Sequence, residues 1–369
     1  MAKRKNQEGT IRYKADRKIY EGRIKYDGGK TKWFTAKTQK ELQDKMFDFR
    51  TALKTGLDIS KSSTVNEVAE KFFKVKTRSL IQKTVDQYRA QYNNHISKYL
   101  GRLKVTDVTP DRVNNYVDDL LSRNLTASQI NRSVKVLKMV LNHALKLQYI
   151  PSNPAQFIDP VKHTKKALRV LTEDEIKAFV KEASEDELYP LWYLLLNSGM
   201  RIGEALALEW SDLNWETDEL VISKTYDQNY GLKGCTKNGQ DRTIKLNYST
   251  MRLLQQHQSK QLELQLDLGQ YWSNNNLIFA SGNGGYIDLS NIRNRHFKHI
   301  LKRANITDFR IHDLRHCFSS IALMNNVPVI EVSNFVGHRN PTVTLNVYGH
   351  FIPRENTSTA DVMEDLINS

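Results

Sequence analysis

The chain has 369 residues, 39% hydrophobic and 26% charged with only 8 Pro, which excludes wholesale disorder and is too long for one small core, so two or three domains are expected. A formal net charge of +14 and a pI near 9.5 point to a polyanion as partner, nucleic acid being the commonest. Two cysteines with no CxxC pair exclude a disulfide framework and fit a reducing cytoplasm, and neither the opening Met1-Ala2-Lys3-Arg4-Lys5 nor the longest apolar run, Leu191 to Leu196, reads as a signal or membrane segment.

The excess charge is uneven. Through Asp58 there are 16 Lys+Arg against 8 Asp+Glu, which marks a basic N-terminal module. Residues 10 to 35 alternate around Ile11, Tyr13, Ile19, Tyr20, Ile24 and Tyr26, turn at Asp27-Gly28-Gly29 and resume at Trp33-Phe34, the pattern of a three-stranded antiparallel sheet. A helix opens at Thr38 and runs to about Leu53 with Leu42, Met46 and Phe49 on one face. Arg12, Lys14, Arg23, Lys25 and Lys32 lie on the strands. A basic sheet braced by one helix suits a DNA groove. The pattern alone fits a small solvated sheet equally well.

A Ser-rich linker follows, then helical patterns over Thr64–Thr77, Lys83–Leu100, Thr109–Arg123 and Thr126–Gln148, an all-α domain across residues 62–152. Thr64-Val65-Asn66-Glu67 and Thr109-Pro110 are helix starts. Gln129, Asn131, Arg132 and Lys135 sit on the polar side of the last helix, available to phosphates or simply solvated. Residues 153–168 read as an extended basic linker, and Thr172-Glu173-Asp174-Glu175 caps the first helix of a third domain, 169–355.

In that domain an apolar helix ends at Ser198-Gly199 and the chain restarts as Met200-Arg201-Ile202-Gly203-Glu204. Arg201 stands near a helix N-terminus, where backbone amides also favour an anion, and Glu204 at i+3 can brace it. Strand-like runs at Leu220–Ile222 and Arg242–Leu246 flank Asn238-Gly239, a hairpin signal that places Lys237 at a tip. His312-Asp313-Leu314-Arg315 opens a helix with imidazole and guanidinium on one face. Gly337 ends the next helix beside His338, and Asn340-Pro341 starts a segment that reaches Tyr348. Two arginines to neutralise a phosphate, histidines to move protons and a phenol to attack can break a phosphodiester without a metal. His296-x-x-His299 and His312-x-x-x-His316 have a spacing zinc accepts, yet no Asp or Cys completes a set and the surrounding cations oppose one. No metal and no cofactor are expected.

Thr236-Lys237, His312-x-x-Arg315, Val336-Gly337-His338 and Thr344-x-x-x-Tyr348-x-His350, preceded by Gly199-x-Arg201-x-x-Glu204, resemble the tyrosine recombinase (phage integrase) family across residues 169–355. The basic module at 1–57 before an all-α domain resembles integrases of phages and conjugative transposons, which carry an arm-DNA-binding domain. The resemblance implies a multidomain α+β protein: a β-sheet plus helix module, a helical core-binding domain and a mainly α catalytic domain with a small sheet. It implies a site-specific recombinase working through a 3′-phosphotyrosyl intermediate, with dimer resolution or type IB topoisomerase-like relaxation as alternatives. Arg201 and Arg315 would clamp the phosphate, His338 add a hydrogen bond, His312 take the proton of the nucleophile Tyr348, and Lys237 protonate the leaving oxygen. Expected partners are double-stranded DNA at arm-type and core-type sites and three further copies in a tetramer, with room for an excisionase or DNA-bending protein. Residues 356–369, with Ala360, Met363, Leu366 and Ile367 at helical spacing, suit a tail that docks on a neighbour or packs on its own domain.

Overall fold

The computed structural model describes residues 9–26, 29–54, 63–162, 168–234, 241–353 and 367, and divides into two compact units, Met1–Lys165 and Lys166–Ser369. In the first, strands β1 (Thr10–Lys14), β2 (Ile19–Tyr26) and β3 (Lys30–Ala36) form an antiparallel sheet in the order β1-β2-β3. Helix α1 (Gln39–Lys54) covers one face, burying Leu42, Met46 and Phe49 against Ile24 and Ala36. Residues paired across an antiparallel ladder share a face. The register Thr10↔Arg23↔Trp33, Arg12↔Glu21 and Lys25↔Thr31 therefore puts Arg12, Arg23, Lys25 and Trp33 on the open face, with Lys14 salt-bridged to Glu21 at 3.1 Å beside them. Lys32, also on a strand, lies on the other face. It pairs with Ile24 on the helix side, and its ammonium stands 4.8 Å from the Phe49 ring centre.

The helical part begins with α2 (Val65–Lys76), whose Thr64 and Glu67 form a capping box. Next come α3 (Gln82–Gln91), a π-helical turn (Tyr92–Ile96) and α4 (Ser97–Leu100), where sequence periodicity predicts one regular helix. The wider turn brings both Tyr92 and Ile96 into the core, and Tyr92 donates its hydroxyl to Asn66 Oδ1 at 2.8 Å. Helices α5 (Pro110–Ser122) and α6 (Ala127–Lys146) follow, and α6 again opens on a capping box, Thr126 with Gln129.

Residues 155–161, expected to lie in an extended linker, pack instead on the helical domain. Ala155 is buried in the helical core, and Ile158 and Val161 pack against it. Asn131 donates to the Val161 carbonyl and accepts from the Val161 amide, both at 2.8 Å, while Lys138 Nζ reaches the Gln156 and Ile158 carbonyls. Asn131 is therefore a structural staple for its own chain rather than a phosphate contact. Arg132 and Lys135 remain exposed.

The second unit runs through α7 (Glu173–Ala183), α8 (Tyr189–Ser198) and the single turn α9 (Ile202–Ala205). Strands β4 (Leu213–Asn214), β5 (Glu219–Ile222) and β8 (Arg242–Lys245) make one sheet; β6 (Lys224–Asp227) and β7 (Gly231–Gly234) make a separate hairpin. The chain between β5 and β8 thus carries a ribbon that the sequence reading does not foresee. Residues 235–240, including Lys237 and the Asn-Gly pair, lie outside the described residues.

Helix α10 (Tyr248–Leu268), the short α11 (Leu289–Asn291), a π turn (Ile292–Phe297) and α12 (Lys298–Arg303) complete the scaffold around the buried Trp192 and Phe297. Then come α13 (Ile311–Met324), α14 (Val329–Val336) and α15 (Pro341–Tyr348). Of the expected tail helix only Ile367 is described. No helix among the described residues is long and apolar enough to cross a membrane.

Candidate active site

Both arginines of the expected cluster are anchored the same way. Helix α8 stops at Gly199, whose left-handed φ of 58° leaves its carbonyl free for Arg315 Nη1 at 2.8 Å. Helix α14 stops at Gly337, φ 72°, whose carbonyl accepts from Arg201 Nη2 at 3.3 Å. The C-terminal end of a helix carries partial negative charge and unpaired carbonyls, so each guanidinium is oriented by a helix terminus. A side chain at either glycine would collide: a Cβ at 199 would lie 2.6 Å from Phe318, and one at 337 would lie 2.6 Å from Arg242 Nη1.

Glu204 is 1% exposed and takes three hydrogen bonds: from Arg201 Nη1 at 2.7 Å, from the Arg201 amide at 3.0 Å and from Arg242 Nη2 at 2.7 Å. Burial would raise its carboxyl, but Arg242 and Arg201 outweigh that and hold it below the usual range. Arg242 also donates Nε to the Phe335 carbonyl at 2.9 Å, tying β8 to the end of α14. Its place in the site is missed by the sequence reading, which treats it only as the start of a strand.

On α13, His312, Arg315 and His316 share a face, while Asp313 turns away to cap the helix and bind Arg310 at 2.9 and 3.1 Å. Arg315 is 2% exposed, and its Nη2 is buried with no hydrogen-bond partner. Burial and the neighbouring Arg201 push its guanidinium down to about 9. Burial lowers His312 to about 4, helped by His316, Arg315 and Arg201, and lowers His338 to about 3, helped by the same two arginines. Both imidazoles are therefore neutral at pH 7. His338 Nδ1 hydrogen-bonds Thr344 Oγ1 at 2.8 Å, and Thr344 is fully buried.

Tyr348 ends α15 with 1% of its surface exposed. Its hydroxyl lies 2.6 Å from Nδ1 of His316, not against His312, whose ring stands edge-on 4.9 Å from that of His316. The expected proton acceptor is thus one helical turn from the imidazole that the phenol meets. Burial raises the phenol, opposed by Ser319, Arg315 and Arg201. Ser319 Oγ makes no hydrogen bond of sound geometry, so it counts as a neighbour of the phenol rather than a partner. His316 carries a sequence signal, four residues past His312 and adjacent to Arg315, that a metal pairing explains equally well. The competing tyrosines are placed otherwise: Tyr286 stacks on Tyr226 at 4.0 Å, and Tyr271 is 75% exposed.

Three guanidiniums (Arg201, Arg242, Arg315) thus stand around one carboxylate, leaving two positive charges beside a phenol and neutral histidines. Such a pocket favours an anion that gains charge during reaction.

Comparison with known proteins agrees. The profile described as "Phage integrase family" matches residues 169–354, and that of "Phage integrase, N-terminal SAM-like domain" matches residues 64–121. A "Tyrosine recombinase XerC-like" protein of Caldanaerobacter subterraneus subsp. tengcongensis is 26% identical over 360 residues, covering 91% of this chain and 92% of its own. The "ICEBs1 integrase" of Bacillus subtilis is 25% identical, covering 74% of this chain and 76% of its own. In fold, the chain resembles the Tn1549 transposon integrase solved with circular intermediate DNA (TM-score 0.66, 18% identity, 82% of this chain and 99% of that one). It also resembles a lambda integrase tetramer bound to a Holliday junction (TM-score 0.61, 16% identity, 97% and 100%). With half of its length matched by the catalytic profile and the basic cluster folded around a tyrosine, the chain belongs to the phage integrase family, the tyrosine recombinases that cleave and rejoin DNA.

Proposed function

We propose that Arg201, Arg315, His312 and His338 hold the scissile phosphate of a DNA strand while Tyr348 attacks it. The enzyme is a site-specific recombinase of the integrase type, and the observation that carries the residue roles is the unbalanced charge. A phosphodiester brings one negative charge and its five-coordinate transition state about two, which matches three guanidiniums against Glu204. The unpartnered Nη2 of Arg315 supplies a donor waiting for an oxygen. In the tautomer in which Nδ1 of His338 accepts from Thr344, its Nε2–H is left for the same phosphate.

The phenolic O–H of Tyr348 breaks with its proton passing to a neighbouring neutral imidazole, its oxygen bonds to phosphorus, and the bond from phosphorus to the 5′ oxygen breaks. The products are a 3′-phosphotyrosyl link and a 5′ hydroxyl. Lys237 is the group we assign to protonate the leaving oxygen. Attack by a 5′ hydroxyl from a second duplex reverses the step without ATP, because the bond energy is retained in the phosphotyrosine.

DNA is the partner that the remaining surface fits. Arg12, Arg23 and Lys25 share the open face of the N-terminal sheet with Trp33, which is 57% exposed and has Arg23 stacked 5.7 Å from its ring centre. We assign this face to arm-type sites, and Arg132 and Lys135 on α6 to the backbone of core-type sites. The transposon and lambda integrases were solved on DNA, the latter as a tetramer on a Holliday junction, and we infer the same assembly here. A basic sheet-and-helix module ahead of the helical domain favours strand exchange of a mobile element over simple relaxation of supercoils.

The test uses a duplex selected from a random-sequence library by binding to the Tyr348→Phe protein, then nicked so that cleavage is irreversible. Wild-type protein forms a covalent adduct on it, and the Phe variant binds without forming one. An adduct from the Phe variant would reject Tyr348 as the nucleophile.

A further inference from the structure

The phenol and the proton it must lose already meet a base in the DNA-free protein. Tyr348 Oη and His316 Nδ1 are 2.6 Å apart, shorter than an ordinary neutral N···O hydrogen bond. The other two imidazoles are less well placed. His338 has Nδ1 committed to Thr344, and its ring centre is 6.2 Å from that of Tyr348. His312 faces the edge of the His316 ring. The ring of His316 is half-buried on the face of α13 that also carries Arg315, so proton transfer to it keeps the new phenolate beside that guanidinium.

We propose that His316 is a catalytic residue: its Nδ1 holds the Tyr348 hydroxyl in the DNA-free enzyme and accepts the phenolic proton during strand cleavage. The assignment rests on Tyr348 being the nucleophile. In the forward step the Tyr348 O–H bond breaks and an Nδ1–H bond forms, giving an imidazolium. The freed oxygen electron pair forms the O–P bond, and the P–O5′ pair departs on the 5′ oxygen, which takes its proton from the leaving-group acid. On rejoining, the tyrosyl oxygen leaves phosphorus and recovers the proton from His316.

The coupling to substrate follows from the surroundings. Arg310 at the N-cap of α13, His312, Asp313, Arg315 and Cys317 on α13, Arg201 at the start of α9 and His338 after α14 are the charged and titratable groups that bear on His316 or on the phenol it holds. Burial lowers His316; Asp313 pulls the other way, but burial together with Arg310 and Arg315 outweighs it, so the resting pair is neutral. A phosphate set between Arg201 and Arg315 cancels part of that repulsion and makes the imidazolium affordable only when DNA is in place.

The deciding variant is His316→Asn, whose amide oxygen can still accept the hydrogen bond but cannot take the proton. In the full chain, on the nicked duplex described above, single-turnover adduct formation at pH 7 should fall roughly 100-fold or more while binding of the duplex is unchanged. The deficit should shrink as the pH rises and the phenol ionises unaided. Replacing the bridging 5′ oxygen by sulfur, a leaving group that needs no proton, should not restore the rate.

A wild-type rate at pH 7, a deficit equal at every pH, or rescue by the sulfur substrate would each overturn the assignment, the last by moving His316 to the leaving group. If the asparagine variant melts early, His316→Ala with added imidazole decides instead: restored adduct supports the base, and no restoration rejects it. The two readings fail separately. An adduct from Tyr348→Phe removes the nucleophile, whereas an unimpaired His316→Asn removes only the base.

Discussion

Replacing Glu204 by Gln keeps the shape of the site and deletes its one countercharge. The carboxylate is fully buried and receives three hydrogen bonds, two of them from guanidiniums at 2.7 Å. Breaking a buried pair by removing one partner costs about 3–5 kcal/mol, because the other charge stays behind uncompensated. The Arg242 side chain is only 10% exposed, whereas Arg201 retains more contact with solvent that screens it, so the lower end, about 3 kcal/mol, is expected. For a unit of this size each kcal/mol moves the midpoint by about 2–4 °C, so the variant should melt roughly 6–12 °C below wild type.

Tryptophan fluorescence reports that transition, since Trp192, Trp210, Trp215 and Trp272 all lie in the second unit. The loss should shrink in the presence of DNA, whose phosphate supplies part of the missing negative charge. A midpoint shift under 2 °C without DNA would show that Glu204 is no counterion to this cluster, and the charge count behind the proposed mechanism would fail with it.

Gly337→Ala forces a side chain into a left-handed turn and onto Arg242; at least about 1 kcal/mol of stability should go, with adduct formation falling more than DNA binding, and a variant matching wild type in both would refute the fit. Stability should drop as the pH is lowered from 7 to 5. The folded pKa values of His312 and His338 lie below that of an unfolded histidine, about 6.5, so below 6.5 the unfolded chain binds protons that the folded one refuses. His338→Asn should flatten that slope in melts across the range, and an unchanged slope would contradict its buried neutral state. Trp33→Ala with Arg23→Ala should weaken binding to arm-type duplexes and lower its salt dependence while sparing adduct formation on core-type duplexes; equal losses at both would end the division of labour between modules.

Much of this was legible where the cause is local. Thr64 with Glu67 and Thr172 with Glu175 are capping pairs three residues apart, and Leu42, Met46 and Phe49 form a stripe that only a helix can bury. Gly199 and Gly337 announce helix ends by residue type, which is why Arg201 and His338 could be placed at turns. What escaped depends on distant partners. Arg242 reaches Glu204 and Phe335 across 38 and 93 residues, and Asn131 meets Val161 across 30. Helix α10 has only Met251 and Leu254 as buried hydrophobics, too few for a visible stripe. The face of Lys32 was not legible because alternation fixes which residues of one strand share a face, whereas the register between β2 and β3 decides that Lys32 joins Ile24 rather than Arg23. The choice between His312 and His316 turns on one helical turn of α13, which spacing alone does not resolve.

The bolt formed by Arg242 has a consequence for evolution and engineering. Its contacts reference the first residue of β8 to Glu204 and to the end of α14, so one side chain holds a strand, a carboxylate and a helix terminus in fixed relation. A chimaera assembled from relatives should therefore take Arg242, Glu204 and the turn at Gly337 from the same parent.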